Sequence, residues 1–166
     1  MQTNTPPYDF GTGNTNPETF PADAFGEAAG RAAARMGAEL NRYHGKLGHQ
    51  GLRDLMAQRE STREGIEVSA DDVFLTNGSM QGVTLAAEAL CKLPGGAIVM
   101  EEHCYSGTVN AYSALGVNMV GVPLDGHGMR MDGLETALKK LADNGERAGF
   151  IYVLTTNISH VGCWNF

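Results

Sequence analysis

Two short segments carry residue types that could do chemistry. The first is Thr76-Asn77-Gly78-Ser79-Met80-Gln81-Gly82, where a short apolar run gives way to a helical pattern. Amide hydrogens in the first turn of a helix have no intrahelical acceptor, and the dipole there favours an anion. Gly78 lets the main chain come close to a ligand, and the Ser79 hydroxyl can add a hydrogen bond. The segment reads as a phosphate cradle or, more plainly, as a helix start with a glycine in its turn. It is not a Walker loop, since it lacks GK[ST], and not a dinucleotide GxGxxG.

The second segment is Glu101-Glu102-His103-Cys104-Tyr105-Ser106-Gly107, at the carboxyl end of the apolar run AIVM. Ligands of open α/β sheets bind outside such ends. Tyr105 is either a ring that stacks on a flat cofactor or one that packs its own loop. Glu101 and Glu102 are neighbours on a strand, so they point to opposite faces and share no task. His103 and Cys104 have no further ligand cluster to complete a metal site, and no metal is expected. The four lysines, Lys46, Lys92, Lys139 and Lys140, all read as solvated or as helix-end cations, and none as a buried amine of low pKa.

The elements that must position these segments follow from periodicity. Phe25, Ala29, Ala32, Met36 and Leu40 predict a helix from Ala24, with Asp23 as its cap. Leu52, Leu55 and Met56 predict a second helix that Gly65 ends. Then come a strand at Val73 to Thr76, a helix from Ser79 to Lys92, the strand AIVMEE and a helix from Tyr105 to Leu115. The strand NMVGVPL closes at Asp125-Gly126, a helix carries Leu134, Leu138 and Leu141, and FIYVLTT is a last strand. Buried strands alternating with amphipathic helices mean an α/β domain with a mainly parallel sheet and right-handed crossovers. Residues 1–21 read as an extended arm and 22–166 as one partial domain. After Thr156 the tail NISHVGCWNF reads as truncation or an altered frame, because a parallel sheet needs a helix over its last strand.

Composition narrows the class. A net charge of -7 over 166 residues argues against a generic nucleic-acid binder. Cys91, Cys104 and Cys163 are odd in number and not at CxxC spacing, which predicts reduced thiols and a cytoplasmic location. No apolar run is long enough to span a membrane, and the first residues lack the pattern of a signal peptide.

The order of segments adds a resemblance. FGTGNTNPETFP, RYHGKLGHQGLRDLMAQR, GIEVSADDVFLTNGSMQG, PGGAIVMEEHCYSG and VPLDGHGMRMDGLETAL are collinear over roughly residues 8 to 156. Together they resemble the fold-type I aminotransferases of class I/II, most of all the branch of 2-aminoadipate and aromatic amino-acid aminotransferases. The resemblance implies an N-terminal arm and helices followed by an incomplete, mainly parallel sheet of the large domain, stopping before the catalytic lysine and the small domain.

It also implies pyridoxal 5′-phosphate (PLP) as cofactor. Gly78, Ser79 and the Met80 backbone would bind its phosphate, and Tyr105 would stack on its ring. Tyr43 would reach the phosphate of a neighbouring subunit in a homodimer, and Gly13 would lie near the substrate carboxylate. The substrates implied are an amino acid and a 2-oxo acid. Departures are Met80 where the family often has Gln or Ala, and His103 where a Pro commonly stands. Ser159-His160-Val161-Gly162 stands in place of Asn-Pro-Thr-Gly. The acidic partner of the pyridine nitrogen, the Schiff-base lysine and the carboxylate-gripping arginine all lie downstream in the family. The chain is therefore expected to be inactive alone. The other reading is a non-catalytic PLP-binding or dimerising module, or an unstable gene remnant.

Overall fold

The structure, a computed structural model, describes residues 16–91 and 95–154. Gly13, Lys92, Ser159 to Gly162 and Cys163 lie outside the described residues. The chain divides into two compact units, Met1–Leu75 and Thr76–Phe166.

In the first unit, α1 runs from Ala22 to Met36 behind Pro21, which makes no side-chain cap. The expected cap, Asp23, instead lies inside the first turn, where its charge still suits the dipole. The entry is fixed by a hydrophobic staple: the rings of Phe20 and Phe25 sit 5.8 Å apart. Helix α2 spans Gln50–Glu64. The His49 imidazole accepts from the Leu52 amide at 3.3 Å, and Gly65 ends the helix at φ +67°. Buried Arg53 reaches from α2 to the carbonyls of Ala70 and Val73 at 2.6 to 3.1 Å.

The expected strand at Val73 to Thr76 does not form. Residues 70–72 make a 3-10 turn and 73–76 have no ladder; Leu75 donates one bond, to the Leu47 carbonyl at 2.9 Å. An apolar run becomes a strand only beside a partner, and no strand pairs with it among the described residues.

The second unit holds α3 (Gly78–Cys91), β1 (Gly96–Glu101), α4 (Ser106–Ala114) and β2 (Asn118–Val122). The hairpin β3 (Leu124–Asp125) and β4 (Gly128–Met129) follows, then α5 (Met131–Asp143) and β5 (Arg147–Tyr152). The sheet order is β2-β1-β5, with β1 parallel to both neighbours. The expected strand through Leu124 is shorter and stops at Val122: Pro123 has no amide to donate, and its carbonyl instead accepts from Arg130 at 3.0 Å.

Central strand β1 shows why its sequence is a continuous apolar run. Ile98 and Met100 pack with Ala87 and Cys91 of α3 and Tyr112 of α4. On the other face Ala97 and Val99 pack with Val122 of β2 and with Ala137 and Leu141 of α5. The chain leaves β1 through α4 for one neighbour and reaches the other through α5. Travel in opposite directions with helices on opposite faces is what right-handed crossovers require. No helix of the described residues is long and apolar enough to cross a membrane.

Candidate functional site at the carboxyl edge of the sheet

Helix α3 ends beside the start of β1: the Cys91 thiol approaches the Ala97 carbonyl at 3.8 Å. It therefore runs against β1, and its first turn lies toward the strand's carboxyl end. A helix of 14 residues rises about 21 Å, close to the reach of a six-residue strand. Tyr105 follows directly on that end of β1 and stands at the N-terminus of α4. Val83 of α3 and Cys104 of the β1–α4 loop pack on the same core cluster. The two segments singled out in the sequence thus share one edge.

The Asn77 amide donates to Gln81 Oε1 at 2.6 Å, and the Gly78 amide to the Thr76 carbonyl at 2.9 Å. The next two amides, Ser79 and Met80, fall in the first turn, where no intrahelical acceptor exists. Gly78 holds φ +74°, a conformation that a side chain disfavours, and open space surrounds the position a Cβ would take. Gly78, Ser79 and Met80 are all exposed.

The Tyr105 ring is 58% exposed. It lies back over the first turn of α4: a Cβ built on Gly107 would stand 2.5 Å from Tyr105 Cε1 and 3.0 Å from Cζ. The floor of this edge is polar and closed. Buried Glu101 accepts from the Leu154 amide at 2.9 Å, and Thr108 shares a 3.3 Å hydrogen bond with the Tyr152 hydroxyl. Glu102 faces elsewhere, toward the Leu124 amide at 3.3 Å, so the two glutamates do serve separate structural tasks. Burial pushes the Cys104 thiol up, against the Tyr105 amide and with the Glu101 charge. It stays protonated near neutrality and is a poor nucleophile.

Tyr43 belongs to the other unit, where it is fully exposed. Lys46, Lys139 and Lys140 are exposed, and Lys139 pairs with Glu135 at 2.6 Å. The contact of the Tyr105 ring with Gly107, two residues on, is not legible in the sequence, because it depends on the ring folding back over its own helix. The buried state of Arg53 was equally silent, since its acceptors lie 17 to 20 residues away.

A model of the family described as aminotransferase class I and II matches residues 6–160. The chain belongs to the class I and II aminotransferases. Aromatic-amino-acid aminotransferase 1 of Thermococcus litoralis is 31% identical over 140 residues, 84% of this chain and 33% of that one. An archaeal alanine:glyoxylate aminotransferase structure matches with a TM-score of 0.75 at 30% identity, covering 85% of this chain and 34% of its own. The α-aminoadipate aminotransferase of Thermus thermophilus was solved in complex with N-(5′-phosphopyridoxyl)-L-leucine. It matches with a TM-score of 0.68 at 27% identity, over 84% of this chain and 33% of its own. The resemblance read from the ordered segments is borne out, as is the α/β class with its parallel sheet. The chain spans about a third of the length of the aminotransferases it matches.

Proposed function

We propose that this chain carries the phosphate-holding and ring-stacking part of a PLP aminotransferase site. The observation that carries this reading is the pair of first-turn amides at Ser79 and Met80, which meet no acceptor among the described residues, on the same sheet edge as the exposed Tyr105 ring. The residues present fit the cofactor. A phosphate monoester is a dianion with several acceptor oxygens, and two first-turn amides at the positive end of a 14-residue helix are matching donors. Gly78 leaves clear space beside them, and the neighbouring Ser79 hydroxyl can donate as well.

When bound, PLP supplies an electron sink for the carbanion left as a substrate loses its α-proton. The chain's own residues bind and orient. The Ser79 and Met80 amides and the Ser79 hydroxyl hold the phosphate; Tyr105 covers one face of the ring and excludes water from it. Tyr43, fully exposed, reaches the phosphate held by a second copy in a homodimer, and Gly13 lies by the substrate carboxylate. The whole protein moves an amino group between an amino acid and a 2-oxo acid in the cytoplasm. Lys46, Lys139 and Lys140 are exposed, and on this reading none of them holds the cofactor covalently, so this chain binds it without turnover.

Calorimetric titration of the full chain with pyridoxamine 5′-phosphate and with pyridoxamine tests the reading. Pyridoxamine 5′-phosphate cannot label lysines adventitiously. The phosphorylated form is expected to bind at least about tenfold tighter, since its hydrogen bonds involve a charged partner. Ser79→Ala should cost about 1 kcal/mol of that binding. Equal affinity for the two ligands, or none for either, overturns the assignment.

A further inference from the structure

We infer that Gly107 is a positioning residue for the Tyr105 ring: its missing side chain is the seat on which the ring rests. This rests on the stacking role proposed for Tyr105 and adds what makes that role possible. Tyr105 has no side-chain cap bond at the head of α4, and more than half of it is exposed. A tyrosine so placed would ordinarily sample several rotamers. Here its Cε1, Cζ and Oη lie 2.5, 3.0 and 3.2 Å from where a Cβ on Gly107 would be, all closer than ordinary van der Waals contact. Any other residue at 107 would occupy the ring's place.

The consequence is local. Gly107 lies inside α4, where an alanine is the better helix former. The obstructing atoms belong to an exposed side chain that can swing away rather than to the backbone. A substitution at 107 therefore moves the ring and spares the fold. Seated on Gly107, the ring is ordered before the ligand arrives, so stacking costs little rotamer entropy. Displaced, it must give up that order on binding or leave the cofactor's face to water.

The test is a double-mutant cycle on the full chain, read by pyridoxamine 5′-phosphate titration, with inorganic phosphate as the second probe. Tyr105→Ala should weaken pyridoxamine 5′-phosphate binding about tenfold. Gly107→Ala should reproduce most of that loss in the native background and cost nothing further when Tyr105 is already alanine. Both variants should bind inorganic phosphate as the native chain does. The ligand-free chain offers a second readout: the Gly107 Hα resonances should carry a ring-current shift that Tyr105→Ala abolishes. A Gly107→Ala chain that binds like the native one overturns the inference. So does an equal loss in both backgrounds, a fall in phosphate binding, or Hα resonances indifferent to Tyr105. No effect of Tyr105→Ala itself would instead sink the stacking role, and this inference with it.

Discussion

Tyr112 is the residue at which this structure departs most from ordinary satisfaction. It is fully buried between the rings of Phe150 and Tyr152, at 6.2 and 5.9 Å, and its hydroxyl meets no partner among the described residues. Burial first, then the neighbouring Tyr152, Cys104 and Cys91, push its pKa up to about 12. The folded chain thus holds this proton more tightly than the unfolded chain, where tyrosine titrates near its ordinary value of about 10. The stability linked to it is whole below about pH 10 and is lost as pH rises toward about 12. Tyr112→Phe keeps the ring and removes the orphaned hydroxyl. It should raise stability by up to about 1 kcal/mol at pH 8 and flatten the loss between pH 10 and 12. Urea midpoints at several pH values check this; a variant less stable than the native chain at pH 8 would refute it.

At the scale of elements, what could be read in the sequence was what local chemistry decides. Gly65 ends α2 because only glycine takes φ +67° without strain, and β1 is continuously apolar because helices cover both its faces. What could not be read depended on partners distant in the chain. Val73 to Thr76 has strand composition but no strand to pair with among the described residues. The cradle's glycine and serine were legible as a helix start. Which amides would stay open was not, because that turns on the Gln81 side chain folding back to Asn77. Arg53 is the sharpest instance: an arginine in a helix reads as solvated, yet its guanidinium is buried and braces the 3-10 turn at residues 70–72. It donates to Ala70 and Val73 and also meets Gln50 and Asp71, at 2.8 and 3.1 Å. Arg53→Met keeps the apolar stem and strands those carbonyls. It should cost the first unit about 1–3 kcal/mol and speed amide exchange over residues 66–75. Exchange and urea midpoints that match the native chain would show that the clamp does not hold the turn.

At the scale of the molecule, the sheet of the described residues has three strands, hence two edges, and the described residues cover its faces only in part. Strand β5 pairs on one side only, leaving a row of amides and carbonyls free on the other among the described residues. Ile151 pairs with Val99, on the face that α5 covers, yet Ile151 remains 45% exposed and Val153 42%. Helix α5 packs Ala137 and Leu141 with β1 and β2, and of β5 only Ala148 joins that cluster among the described residues. An open parallel edge flanked by exposed β-branched residues is a template for another strand. Concentration-dependent association through β5 is the expected behaviour. Ile151→Lys places a charge where an incoming sheet would have to bury it, while the paired side of β5 is untouched. It should raise the concentration at which light scattering appears several-fold and shift stability by no more than about 0.5 kcal/mol. If scattering begins at the same concentration in the variant, association runs through another surface, and the exposed Phe20, Phe25 and Leu55 of the first unit become the residues to change next.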